Sequence, residues 1–197
     1  MTPPALRILA GLGNPGEEYA RSRHNAGYRL VDFLAREAGL LWTWEKRFQA
    51  DTALLDVDGR PLLLVKPRTF MNRSGESLGK LARYYRLQPE QFAVAYDDTT
   101  VDAGRCKLSL SGGSGGHNGV ESVLRHLGSG FARLRIGIGG KSHRDMVLAD
   151  YVLGKFSAEE EQTLVDQLPR LAEGVRLLVR EGPERCMNWM NIKAKAS

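Results

Sequence analysis

Five short stretches of the chain hold residue types that could activate water. Asn14 follows the apolar run "LRILAGLG", His24-Asn25 opens the next helix-like segment, Met71-Asn72 follows "LLLVKPRTF", and Asp97-Asp98 ends the apolar "FAVAY". The glycine-dense "SGGSGGHNG" carries His117 and Asn118. A histidine with a strand-end carboxylate makes a general-base pair. The carboxylate accepts one ring N–H, fixes the tautomer and stabilises the imidazolium, and the other nitrogen can then take a proton from water. Side-chain amides nearby can position that water or donate to a developing oxyanion. No serine or cysteine has a nucleophile-elbow context, which favours direct water attack over a covalent intermediate. The four histidines lack zinc-ligand spacing with one another or with Cys106 and Cys186, so no metal is expected.

Each feature also has a plainer reading. His24 could cap a helix or sit on the surface, Asp97 and Asn72 could cap the elements that follow them, and the glycine loop could be only a helix entry. Met71 on its own reads as core. The glycine density favours close backbone approach to a ligand, and the loop amides with the next helix N-terminus suit an anion such as phosphate. A rival motif lies at Gly11, Gly13 and Gly16, the G-x-G-x-x-G spacing of a dinucleotide-binding turn. Pro15 lies inside it and has no amide to offer. Asn14-Pro15-Gly16 reads better as a tight turn that aims Asn14. Asp32, near the distance of a ribose-binding acid, falls within a helical pattern instead of ending a strand.

The elements that must position these residues alternate in type. "LRILAGLG", "FAVAYDD", "GRCKLSL" and "ARLRIGIGG" read as short strands, and "FQADTALLDVDGRPLLLVKP" as a hairpin turning at Asp58-Gly59. Helical periodicity places Leu30, Phe33, Leu34 and Ala38 on one face, with Gly39 as a stop, and Leu78, Leu81, Ala82 and Tyr85 on another. A third helix is predicted at "GVESVLRHLG". A long helix opens with the capping-box pair Ser157 and Glu160, and Pro169 is expected to kink or interrupt it. "PERCMNWMNIKAKAS" suggests a last helical turn or two. The prediction is an α/β three-layer sandwich with a mixed, mostly parallel sheet and helices on both faces. In such sheets, residues beyond the carboxyl ends of strands converge on one crevice, so Asn14, Asn72 and Asp97 could meet.

Length and composition fit one domain over residues 1–197, with 191–197 as a flexible tail. No apolar run approaches a membrane span, and "MTPPALRILAG" lacks the features of a secretory signal. Two cysteines far apart in sequence then read as reduced thiols in a cytoplasmic protein. A net charge of +5, from 28 basic and 23 acidic residues, admits a polyanionic partner without requiring one.

Taken together, these stretches resemble the bacterial-type peptidyl-tRNA hydrolase family. "GLGNPGEEYARSRHNAG" and "GSGGHNG" are similar to its two long signatures. "KPRTFMNRSGES", "AYDD", "RLRIGIG" and "YVLGKF" match further blocks in the same order, and together they span roughly residues 6 to 190. The resemblance implies hydrolysis of the ester joining a peptide to the 3′ ribose of tRNA, which recycles tRNA from stalled or dropped-off translation products. It implies no cofactor and no membrane, a cytoplasmic monomer, and recognition of the acceptor stem and 3′ end. Carried over residue by residue, it makes His24 the general base, Asp97 the carboxylate that orients it, and Asn14 the substrate- and water-positioning amide. Asn72 and Asn118 hold the peptide backbone and the catalytic water, Tyr19 and Met71 line the cleft, and His117 stands on the substrate side. Arg135 lies near the tRNA channel, with Lys107, Lys141 and Arg144 as further phosphate contacts. Ser22 replaces the usual threonine, and "DDTTVDAG" lacks the apolar residue that commonly follows the second acid. Some family members bind RNA without hydrolysis; retention of Asn14, His24 and Asp97 argues against that here.

Overall fold

The run Ile8–Gly11 forms strand β1, buried at every position because helices cover the sheet on both sides. The computed structural model describes residues 5–140 and 147–192. Its other strands are β2 (Thr43–Glu45), β3 (Ala50–Val57), β4 (Arg60–Pro67), β5 (Phe92–Asp98), β6 (Cys106–Ser109) and β7 (Ala132–Gly137). They form one seven-stranded sheet in the order β2-β3-β4-β1-β5-β7-β6. The central strands β4, β1, β5 and β7 run parallel, and β2, β3 and β6 pair antiparallel at the flanks. The hairpin turns where expected: Asp58 and Gly59 both take positive φ, as a two-residue turn between twisted strands requires.

The helices are α1 (Ala26–Glu37), α2 (Ser74–Tyr85), α3 (Asn118–Leu127), α4 (Leu148–Leu153), α5 (Ala158–Glu181) and α6 (Pro183–Met190). On one face of the sheet, Leu30 and Leu34 of α1 pack with Leu168, Leu171 and Val175 of α5 and with Cys186 and Met190 of α6. On the other, Leu78 and Leu81 of α2 pack with Val120 and Val123 of α3 over Ile8, Phe92 and Val94. This is the three-layer sandwich that the alternating pattern predicts.

The differences are local. Val31 and Ala35 complete the buried face of α1, whereas Ala38 lies past its last turn and is exposed. Tyr85 ends α2 and is 48% exposed. Helix α5 runs unbroken for 24 residues through Pro169. Pro169 and Val165, whose carbonyl loses its partner, both lie on the solvent side, where water can satisfy that oxygen. Leu164, Leu168, Leu171 and Ala172 hold both halves to the core. Strand β2 and helix α4 were not foreseen, being too short to show a period. Nor is Asn191 part of a flexible tail: its side chain accepts from Leu108 N at 2.8 Å and donates to Leu108 O at 3.0 Å. Residues 193–197 lie outside the described residues.

Candidate active site

The turn after β1 is built for close packing. A Cβ on Gly11 would lie 2.3 Å from the carbonyl oxygen of Gly27, and one on Gly27 would lie 2.2 Å from that of Ala95. Glycine at both positions lets the first turn of α1 press against β1 and β5. That helix begins only at Ala26, and Gly16 meets just the three-residue 3-10 turn Glu17–Tyr19 with two acids in it, so the dinucleotide reading loses its pyrophosphate cradle.

The turn delivers Asn14 in a single orientation. Its backbone N–H donates to Asn25 Oδ1 at 2.8 Å, and Asn25 Nδ2 donates back to its carbonyl at 3.0 Å. Asn14 Oδ1 accepts from Met71 N at 2.8 Å, so Nδ2 is the end left to face the cleft. His24 sits in the 3-10 turn Arg23–Asn25 that leads into α1. Arg23 braces this turn, donating to Glu160 of α5 at 2.6 Å and stacking over the Tyr151 ring of α4 at 4.4 Å. The end of β5 brings Asp97 under His24. His24 Nδ1 lies 2.8 Å from Asp97 Oδ1 and 3.0 Å from Oδ2, which leaves Nε2 on the cleft side.

His117 reaches the same carboxylate. Its Nε2 lies 3.0 Å from Asp97 Oδ1, and its Nδ1 accepts from the backbone amides of Gly119 and Val120 at 3.1 and 3.3 Å, capping α3. Burial alone would push the Asp97 carboxyl up. The positive partial charge and N–H bonds of His117 and His24 outweigh it and hold the group well below the usual carboxylate range. Burial also pushes the Tyr96 hydroxyl up to about 12, so it stays neutral beside them. Asp98 meets a different set. Arg135 Nε donates to it at 2.8 Å, Thr100 donates through N and Oγ1 at 2.8 and 2.6 Å, and Arg135 Nη2 donates to Thr100 Oγ1 at 3.0 Å. The polar "DDTT" segment is thus a clamp on Arg135.

Asn14, Tyr19, His24, Met71, Asn72, Asp97, His117, Asn118 and Arg135 all line one cleft of about 680 Å³. Asn72 caps no helix; it is exposed to the cleft. Asp97 caps nothing either. Lys107 pairs in register with Arg135 across β6 and β7 but does not line the cleft. Lys141 and Arg144 lie outside the described residues. His24, Asp97 and His117 offer ligand atoms within 4.8 Å of one another, close enough for a metal ion. The tautomer of His117 opposes this. A neutral imidazole bound to metal through Nε2 carries its hydrogen on Nδ1, where two amide N–H groups already point.

A family model described as peptidyl-tRNA hydrolase matches residues 8–197. The chain belongs to the peptidyl-tRNA hydrolase family. A peptidyl-tRNA hydrolase of Gloeobacter violaceus is 42% identical over 98% of this chain and 97% of its own. One from Sinorhizobium fredii is 41% identical over 93% of this chain and 76% of its own. The crystal structure of the peptidyl-tRNA hydrolase of Acinetobacter baumannii is similar at a TM-score of 0.90 and 35% identity, with 97% of each chain covered. Within this peptidyl-tRNA hydrolase fold, sequence reasoning missed three contributors. Asn25 clamps the Asn14 backbone, and adjacency to His24 was its only signal. Arg23 works through partners more than a hundred residues away. Phe70, Leu148, Val152 and Leu153 give the cleft an apolar wall, three of the four from the unforeseen α4. Among the described residues no helix is long and apolar enough to cross a membrane.

Proposed function

We propose that this chain releases tRNA from peptidyl-tRNA by hydrolysing the ester between the peptide and the 3′ ribose, with His24 as the general base. One observation carries this reading: Asp97 occupies His24 Nδ1 while Nε2 faces the cleft. Asp97 fixes the tautomer, and its ionised carboxylate stabilises the imidazolium that forms. Water held between Nε2 and the amides of Asn72 and Asn118 attacks the ester carbonyl. The proton passes to Nε2 and from there to the departing ribose 3′ oxygen. Asn14 Nδ2, the donor left free by the Met71 bond, meets the developing oxyanion. Tyr19 and Met71 line the peptide path.

On the RNA side, Arg135 takes a backbone phosphate of the acceptor stem, with Lys107, Lys141 and Arg144 as further contacts. Recognition rests on the shape of the stem and on the single-stranded 3′ end. The reaction needs one activated water and an oxyanion donor, and no cofactor enters it. The chain acts as one domain over residues 1–197, as a monomer in the cytoplasm.

The test is release of tRNA from an N-blocked aminoacyl-tRNA by the purified protein. His24→Ala is expected to lower kcat roughly 10²–10⁴-fold. Near-normal turnover by His24→Ala would remove the base assignment. Tight tRNA binding by wild-type protein with no cleavage would make the chain an RNA-binding member of the family instead.

A further inference from the structure

His117 is expected on the substrate side, yet both of its ring nitrogens are engaged within the protein. Nδ1 accepts the amides of Gly119 and Val120 at the N-terminus of α3. A neutral imidazole has one acceptor and one donor nitrogen, so the hydrogen is on Nε2. That N–H points at Asp97 Oδ1 from 3.0 Å, and the same oxygen takes the N–H of His24 from 2.8 Å. The two rings are 4.7 Å apart, and the Tyr96 ring packs edge-on against His117 at 5.0 Å. The helix therefore sets the tautomer, the tautomer sets the donor, and the donor shares Oδ1 with the catalytic base, whose N–H also lies 3.0 Å from Oδ2.

We propose that His117 is a positioning residue that tempers the basicity of His24 by sharing the Asp97 carboxylate. The proposal rests on the reading of His24 as general base. Two imidazole N–H groups divide the negative charge of Oδ1. With His117 absent as a donor, the full charge would face His24 and favour its imidazolium. Loss of that donor would therefore make the His24 imidazolium easier to form. The turn that carries His24 packs against β5, α1 and α4. Besides Asp97 and His117, the ionisable groups there are Arg23 in the turn, Tyr96 and Asp98 of β5, Tyr28 and Arg29 early in α1, and Asp150 and Tyr151 of α4. Arg135 of β7 also lines the cleft. The variants below leave all of these in place.

Two substitutions separate the two nitrogens. Asparagine places its amide near the position of Nδ1 and is a strong N-cap, so His117→Asn keeps the α3 cap and loses the donor to Asp97. Glutamine places its NH₂ near the position of Nε2, so His117→Gln keeps the donor. The readouts are the proton titration of the His24 ring by NMR in the full chain and the acid limb of kcat/KM against pH. His117→Asn is expected to move both upward, whereas His117→Gln leaves both in place. If His117→Asn folds and loses activity with the titration unmoved, the role is structural and the proposal fails. It also fails if His117→Gln moves the titration as far as His117→Asn. The NMR titration needs no turnover, so it decides this proposal even if His24→Ala proves active and the base assignment falls.

Discussion

Asp97 and Asp98 end the same strand one residue apart, and they anchor different groups lining the cleft. On the imidazole side, Asp97 is buried and meets two ring N–H donors. On the arginine side, Asp98 is partly exposed and meets the guanidinium of Arg135 and the hydroxyl of Thr100. Both carboxyls lie below their ordinary range, for different reasons. Asp97 is held there, against its burial, by partners that can gain or lose a proton, and Asp98 by a cation that cannot. A buried carboxylate facing titratable partners can take part in proton transfer. One facing a permanent cation can only hold that cation in place. The first arrangement suits the ester and the second suits the phosphate.

The largest break in this comparison comes at Asp97. Asp97→Asn is expected to lower kcat roughly 10²–10⁴-fold with KM little changed, measured as tRNA release. A change confined to KM would mean that Asp97 serves binding. Arg135→Ala should do the reverse: KM rises about tenfold, kcat holds, and the salt slope of tRNA binding falls by about one. If the salt slope is unchanged, Arg135 touches no phosphate.

Stability sharpens the contrast. The folded-state pKa of Asp97 is lowered, so its contribution is present above the unfolded value and is lost as pH falls through the folded one. Asp97→Asn should therefore cost about 1–3 kcal/mol at pH 7, and the deficit should close in strong acid. Asp98→Asn should cost less than about 1 kcal/mol, since water screens its pair. Urea unfolding at several pH values measures both, and equal costs would erase the distinction. The smallest effect is expected at Ser22, buried two residues before His24, whose hydroxyl has no hydrogen-bond partner among the described residues. Ser22→Ala should be neutral or stabilising by up to about 1 kcal/mol, and a loss of stability in the same unfolding assay would reveal a partner for that hydroxyl.

What could be read from the chain beforehand divides along the same line. Local chemistry was legible. Asp58-Gly59 makes its turn, and Ser157 and Glu160 form the predicted capping box, because each depends on residues within a few positions. The strand ends carrying Asn14 and Asp97 were legible for the same reason. The insertion of β7 between β5 and β6 was not, since sheet order is decided by packing between distant segments. Arg23 drew no reading from the sequence, because its partners Tyr151 and Glu160 come from the distant α4 and α5. His117 was found, but its bond to Asp97 was not. Its donor nitrogen is dictated by two amides of its own helix, its target lies 20 residues back, and only coordinates join the two.

At the far end of the sheet, the amide of Asn191 does more than pin a chain terminus. Strand β6 is an outer strand only four residues long, and such edges invite another chain to add a strand of its own. By pairing with both backbone groups of Leu108, one side chain takes the place that an eighth strand's backbone would fill there. At Leu108 both backbone groups are already taken, so the middle of this edge offers no free pair to an added strand.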